Sequence, residues 1–188
     1  MNCFRHSYLI VHLDDDFFPQ LEKVIEKYDD YTRCKTEQWD GKEYNSEDHP
    51  DRESKACWID DNAVYPLVDG LVRFANSKAE WNFDIDFIEP LQNTLYEKGD
   101  FYDWHIDESN WSPGKRQNGR VRKISFTILL NDEFEGGEFE IFTNEKHVVE
   151  LKKKDIILFH ADTPHRVREV TSGVRKSLVG WTQGPAYK

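Results

Sequence analysis

The sequence predicts an α+β chain that is mainly β, with two helices in its first 80 residues and a sandwich, barrel or jelly roll after them. Three observations point there. From Trp81 onward short apolar or alternating runs are separated by turn residues with no helical pattern between them. Val64, Leu67, Val68, Leu71, Val72 and Ala75 recur at helical spacing. The 188 residues include 6 Trp, 8 Tyr and 12 Phe, enough for one domain with an aromatic core and too few for two.

Taken in order, Tyr8 to Leu13 reads as a first strand, and Phe17, Leu21, Val24, Ile25 and Tyr28 mark an amphipathic helix over 18–28, with Pro19 placed in its first turn. From Asp29 to Asp61 the chain is polar and weakly patterned, which predicts loop with short strands near Trp39 and Trp58. Asp61 or Asn62 caps the second helix. Strands are then expected at Asp86–Tyr96, Phe101–Ile106, Val121–Leu130, Glu138–Phe142, His147–Leu151, Asp155–His160, Arg166–Val170 and Val174–Thr182. The expected layout is one domain, 1–188, in which 1–80 supplies helical support and loops and 81–188 a β core. A polar stretch, Glu108 to Arg120, interrupts that core and carries Pro113, Gly114 and Gly119, the composition of a surface loop beside a site.

Composition limits the function classes. With 25 basic and 36 acidic residues the net charge is −11, which disfavours nonspecific binding to nucleic acid or anionic membranes. No apolar run approaches the roughly 18–20 residues of a membrane span, and the N-terminus lacks a signal-peptide pattern. Cys3, Cys34 and Cys57 match neither a zinc motif nor a disulfide framework, so a reducing, cytoplasmic setting is expected.

Four His-x-Asp triplets occur, at His12/Asp14, His49/Asp51, His105/Asp107 and His160/Asp162, where chance supplies about one. Context separates them. Pro50 puts the second in a polar loop, no downstream histidine and arginine complete the first, and the turn at Thr163-Pro164 makes it hard for His160, Asp162 and His165 to aim at one point. On a strand, His105 and Asp107 share a face, and His165 is the candidate third ligand. Two imidazoles and one carboxylate, with further coordination positions open, is the ligand set of a mononuclear non-haem iron site.

A hairpin turning at Thr171-Ser172-Gly173 would set His165 opposite Val179, Val167 opposite Ser177 and Glu169 opposite Arg175. Arg175 would then lie roughly 13 Å along the strand from the His165 end. A small dicarboxylate fits between a metal and that guanidinium, with Ser177 donating a hydrogen bond and Val167 walling the middle.

The set Tyr96, Tyr102-x-x-His105-x-Asp107, Leu130-Asn131, Gly136-Gly137-Glu138, His165-x-Val167, Arg175-x-Ser177 and Trp181 resembles the iron(II)- and 2-oxoglutarate-dependent dioxygenases, in their prolyl 4-hydroxylase-like branch. The resemblance covers about residues 88–182 and implies a double-stranded β-helix, or jelly roll. It further implies Fe(II) held by His105, Asp107 and His165, and 2-oxoglutarate held by Arg175 with Tyr96, Ser177 and Val167. O2 is the other cosubstrate, and hydroxylation releases succinate and CO2.

Under that resemblance the substrate is a peptide or protein side chain, proline foremost, met by Trp111, Arg116, Arg120 and Arg122 in and beside the polar loop. Trp104 and Trp181 are read as packing residues. A nucleic-acid substrate is disfavoured, because Trp181 stands where that branch calls for a second arginine. A hydroxylase of a free amino acid and a non-oxygenase jelly-roll metal enzyme are the alternatives. The oligomeric state is not legible.

Overall fold

The computed structural model describes residues 7–39, 44–47, 50–108 and 119–186. Its elements in chain order are β1 (Tyr8–His12), α1 (Phe18–Ile25), β2 (Thr32–Arg33), β3 (Thr36–Trp39), β4 (Tyr44–Glu47), β5 (Arg52–Glu53), β6 (Lys55–Ile59) and α2 (Tyr65–Lys78). There follow β7 (Phe87–Ile88), β8 (Leu91–Tyr96), β9 (Phe101–His105), β10 (Arg120–Leu129), β11 (Phe134–Gly136), β12 (Phe139–Phe142) and β13 (Lys146–Val149). The chain closes with β14 (Asp155–His160), β15 (His165–Val167), β16 (Val170–Gly173) and β17 (Arg175–Pro185).

Two antiparallel sheets form the jelly roll. The larger runs β1-β14-β10-β17-β8-β6-β2 with β7 beside β17, and the smaller runs β13-β12-β15-β9-β5. Alternation in the large sheet divides the core in two. In β14, Ile156 and Leu158 join the cluster that buries Phe18 and Leu21 of α1 and Val68, Val72 and Ala75 of α2. Ile157 and Phe159 point the other way and pack with Phe139, Ile141 and Val167 of the small sheet. Both faces of β14 are therefore apolar, which is why it reads as an unbroken hydrophobic run. The helices brace the outer face of the large sheet, and the concave inner face is left for side chains that converge.

The strands expected near Trp39 and Trp58 form as β3 and β6, and the polar segment 29–61 adds β2, β4 and β5, which its weak pattern does not predict. β6 adds to the large sheet beside β8, β2 beside β6, and β5 pairs with β9 in the small sheet, Arg52 opposite Tyr102. Two-residue strands such as β2 and β5 are too short to carry a periodic signal.

The 165–179 hairpin expected from the sequence does not form. β15 pairs with β9 and β12, β16 with β11, and β17 with β10 and β8. Gly173 does take the left-handed conformation, φ 75, but it serves the β11–β16 ribbon. A jelly roll sends consecutive strands to opposite sheets, so the chain crosses the sandwich where local turn chemistry allowed it to fold back.

Candidate active site

β9 is where the site begins. His105 and His165 are cross-strand partners, as are Tyr102 and Val167, so three steps along β9 span two steps along β15. The extra residue is a bulge, which leaves Asp103 and Trp104 both on the outer face. There the Arg166 guanidinium reaches Asp103 at 3.3 Å and lies 5.0 Å from the Trp104 ring. Tyr102 and His105 are thereby left on the same inner face, although an odd separation would put them on opposite faces of a regular strand.

Both histidines are oriented by one device. His105 Nδ1 donates to the Asp103 carbonyl at 2.7 Å and His165 Nδ1 to the Thr163 carbonyl at 2.9 Å, each two residues back along the chain. A carbonyl can only accept, so Nδ1 carries the proton and Nε2 presents its lone pair. Asp107 lies just past the end of β9, fixed because its backbone N–H and that of Glu108 both donate to the Ala161 carbonyl at 2.9 Å. Its carboxylate oxygens stand 3.8 Å from His105 Nε2 and 3.5 Å from His165 Nε2. Ligand bonds of roughly 2.0–2.2 Å to a single ion can bridge such separations. Among the described residues this is the one cluster of three side chains whose ligand atoms lie within 4.8 Å of one another.

The electrostatics suit a cation. Burial, then the neighbouring His165, holds the His105 imidazole well below its ordinary pKa, so it is neutral and ready to ligate. For Asp107 burial works to raise the pKa, but His165, His105 and Arg122 outweigh it and keep the carboxyl ionised. The rival triplet resolves differently. His160 packs against the segment that follows α2, its ring edge-on to Trp81 and Phe83 at 4.9 and 4.8 Å, and His12 pairs with Asp155 at 2.7 Å.

Arg175 occupies the closed end of the same cavity, whose volume is about 400 Å³. It is 1% exposed, paired across strands with Tyr96, and its guanidinium lies 5.6 Å from the Tyr96 ring. One terminal nitrogen donates to Ser177 Oγ at 3.1 Å, while Nε is buried with no partner among the described residues. A buried guanidinium with an unused donor is costly unless an anion completes it.

Two motifs from the sequence explain how that arginine is held. The Asn131 side chain donates to the Val174 carbonyl and accepts from the Lys176 N–H, both at 2.8 Å, bracketing Arg175 by its backbone. Gly137 sits at φ 62, and a Cβ there would come within 2.9 Å of the Arg175 side chain.

Val167 and Ser177 also line the cavity. Arg122 lies in β10 as expected, and β10 also takes in Arg120, which the sequence pattern places at the end of the loop. Arg120 pairs with Asp86 and is not part of the cavity wall. Arg122 does line it, but its fork is held by both oxygens of Glu89 at 2.7 and 2.6 Å, it stacks 4.4 Å over Trp181, and it donates to the Asp107 carbonyl at 3.2 Å. Trp111, Arg116 and most of the Glu108–Arg120 stretch lie outside the described residues. Trp104 stacks on the outer face as expected, yet it also touches the cavity rim, and Trp181 forms part of its wall beside Trp58 at 6.2 Å. Arg52 and Trp58 were not foreseen. Only the pairing of β5 with β9 and of β6 with β8 brings them to the cavity, and neither registers as a pattern in sequence.

A jelly roll that gathers two imidazoles and a carboxylate at one end of a pocket and a buried guanidinium at the other defines a mononuclear-metal protein built to take an anionic cosubstrate. The comparisons give that class its family. The family model described as the 2OG-Fe(II) oxygenase superfamily matches residues 91–183, and over that stretch the chain belongs to it.

Among curated relatives, a PKHD-type hydroxylase of Synechococcus sp. (strain CC9311) is 37% identical over 90 residues, 46% of this chain and 38% of the relative. One from Janthinobacterium sp. (strain Marseille) is 39% identical over 101 residues, 52% of this chain and 44% of the relative. The matched stretches thus span less than half the length of these relatives. Of solved structures, a prolyl-4-hydroxylase of Pseudomonas putida superposes with TM-score 0.68 at 21% identity, covering 96% of this chain and 94% of the other. A Trichoplax adhaerens prolyl hydroxylase in complex with a hypoxia inducible factor peptide fragment gives 0.68 at 18% identity, covering 94% and 83%. Both establish the jelly-roll fold. No described helix is long and apolar enough to cross a membrane.

Proposed function

We propose that the chain is an iron(II)- and 2-oxoglutarate-dependent hydroxylase of a peptide or protein side chain, with proline the first substrate to test. One observation carries this reading. Buried Arg175, whose Nε has no partner among the described residues, lines the same cavity as His105 and His165, so one pocket offers a cation site and a carboxylate site. A metal without an anionic cosubstrate would leave that guanidinium without purpose.

In this account His105, Asp107 and His165 hold the iron, whose chemistry when bound is the activation of dioxygen coupled to oxidative decarboxylation of 2-oxoglutarate. The remaining work is done by the chain. Arg175 takes the distal carboxylate through its guanidinium, helped by Ser177, with the Tyr96 ring alongside. Val167 walls the aliphatic middle of the cosubstrate. The Arg122–Glu89 pair holds the Asp107 carbonyl in place, and Trp58 with Trp181 forms an apolar flank at which a prolyl ring can rest. The Trichoplax adhaerens prolyl hydroxylase, which holds a peptide fragment, supports a peptidyl substrate over a free amino acid.

The test is succinate release from a panel of proline-containing peptides, with mass detection of one added oxygen. Succinate formed stoichiometrically with a product heavier by one oxygen is expected. Peptides unchanged while free proline is hydroxylated would favour the small-molecule alternative.

A further inference from the structure

The cavity holds a third guanidinium, one that the proposed chemistry does not use. Arg52, on the two-residue strand β5, has its guanidinium carbon over the Tyr102 ring, 4.5 Å from its centroid, and that ring also stacks on His105 at 3.5 Å. The order guanidinium, phenol, imidazole puts Arg52 one aromatic ring away from a metal-facing histidine. Its Nε donates to Ser54 Oγ at 2.9 Å and one terminal nitrogen to Gln92 Oε1 at 3.2 Å, both neutral acceptors. The other terminal nitrogen has no protein partner among the described residues.

The charge pattern around Arg52 is unusual for this chain. The cavity wall carries Lys35, Arg52, Arg122 and Arg175 against the acids Asp51 and Asp107, in a protein of net charge −11. Arg122 is neutralised by Glu89, Asp107 faces the metal and Arg175 faces the cosubstrate. Arg52 forms no ion pair with either acid, and it is held by neutral groups in a fixed orientation. A structural arginine is commonly matched to a carboxylate, as Arg122 is to Glu89, because desolvating a cation without an anion is expensive. A recognition arginine is held by neutral acceptors and left a free edge for a planar anion.

We propose that Arg52 binds a carboxylate of the primary substrate, so that the oxidised residue carries or adjoins an acidic group. This rests on the hydroxylase reading and extends it to substrate class. The carboxylate would enter past Trp58 and Ile106, exposed by 53% and 43%, and dock beyond Tyr102, leaving Arg175 for the cosubstrate. Such a carboxylate could be an acidic side chain next to the target residue or the terminal carboxylate of the chain that bears it, and matched substrates separate the two.

The experiment is an anaerobic titration of the Mn(II)- and 2-oxoglutarate-loaded protein, followed by the fluorescence of the pocket tryptophans. It uses capped peptide pairs that differ only as Pro-Asp against Pro-Asn, Asp-Pro against Asn-Pro, and C-terminal prolyl acid against amide. The acid member of at least one pair should bind about ten- to a hundredfold more tightly. In Arg52→Gln, which retains a hydrogen-bonding group, that preference should fall below about twofold while 2-oxoglutarate affinity is kept, and Arg52→Lys should restore part of it. Equal binding within every pair, no peptide binding at all, or an acid preference that survives Arg52→Gln overturns the inference. A drop in 2-oxoglutarate affinity in Arg52→Gln also overturns it, since Arg52 would then serve the cosubstrate. Failure of the intact chain to form the 2-oxoglutarate complex removes the functional reading and this inference together, whereas equal binding by a chain that forms it removes only the latter.

Discussion

Tyr102 lies flat against His105, ring centroids 3.5 Å apart and planes 12° apart, although they stand three positions apart along one strand. The bulge in β9 makes that stack possible, and it gives one wall of the metal site an aromatic backing. Burial pushes the Tyr102 phenol up to about 12, so its ring stays neutral across the working range. Tyr102→Ala should therefore loosen the His105 ring and weaken metal binding about tenfold, while Tyr102→Phe retains it. Competition of Mn(II) against a chelator measures both, and equal loss in the two variants would mean the hydroxyl rather than the stack matters.

Acid should unload the site before it unfolds the chain. The His105 imidazole is kept neutral in the fold by burial and by His165, so the unfolded chain binds its proton more readily. Stability from this group is fully present above the unfolded histidine value of about 6.5 and is lost as pH falls below it. The metal-free protein should show a falling melting temperature from pH 7 toward pH 5. His105→Asn should flatten that slope, and an unchanged slope would assign it to another group.

Asn131 is predicted to act on cosubstrate binding at a distance. Its side chain ties the backbone on both sides of Arg175, so Asn131→Ala should cost about 1–3 kcal/mol of stability and raise the 2-oxoglutarate KM several-fold with less change in kcat. A variant that loses stability with an unaltered KM would show that Arg175 holds its place without the clamp.

Behind the site, Glu140 is fully buried and paired with Arg166 and Arg168, the latter at 2.5 Å. Both arginines flank Val167 on β15, so the carboxylate ties β12 to the strand that carries His165. Removing it strands positive charge, and Glu140→Ala should cost about 3 kcal/mol by urea unfolding. A cost under about 1 kcal/mol would mean that solvent screens the pair.

How much of this was readable before the fold was known follows from the length of each signal. The convergence of His105, Asp107 and His165, with Arg175 and Ser177 on the same cavity, is legible because strand alternation and joint spacing constrain these positions over the 73 residues from His105 to Ser177. The helices are legible because each buries one face against a sheet. The route from His165 to Arg175 was misread, since Thr171-Ser172-Gly173 carries good hairpin chemistry and nothing local says that the flanking strands enter different sheets. Arg52 and Trp58 were invisible for a related reason: short strands in a polar segment acquire their meaning only from the partner they pair with.

The central claim is that one cavity binds a ferrous ion and 2-oxoglutarate together, and anaerobic titration of the protein with both tests it most directly. A weak visible charge-transfer absorption should appear only when both are present. It should vanish in His165→Ala, and in Arg175→Ala it should require far more 2-oxoglutarate while iron binding stays nearly intact. No absorption in the intact protein under saturating iron and 2-oxoglutarate, or equal loss of iron and cosubstrate binding in Arg175→Ala, would contradict the account.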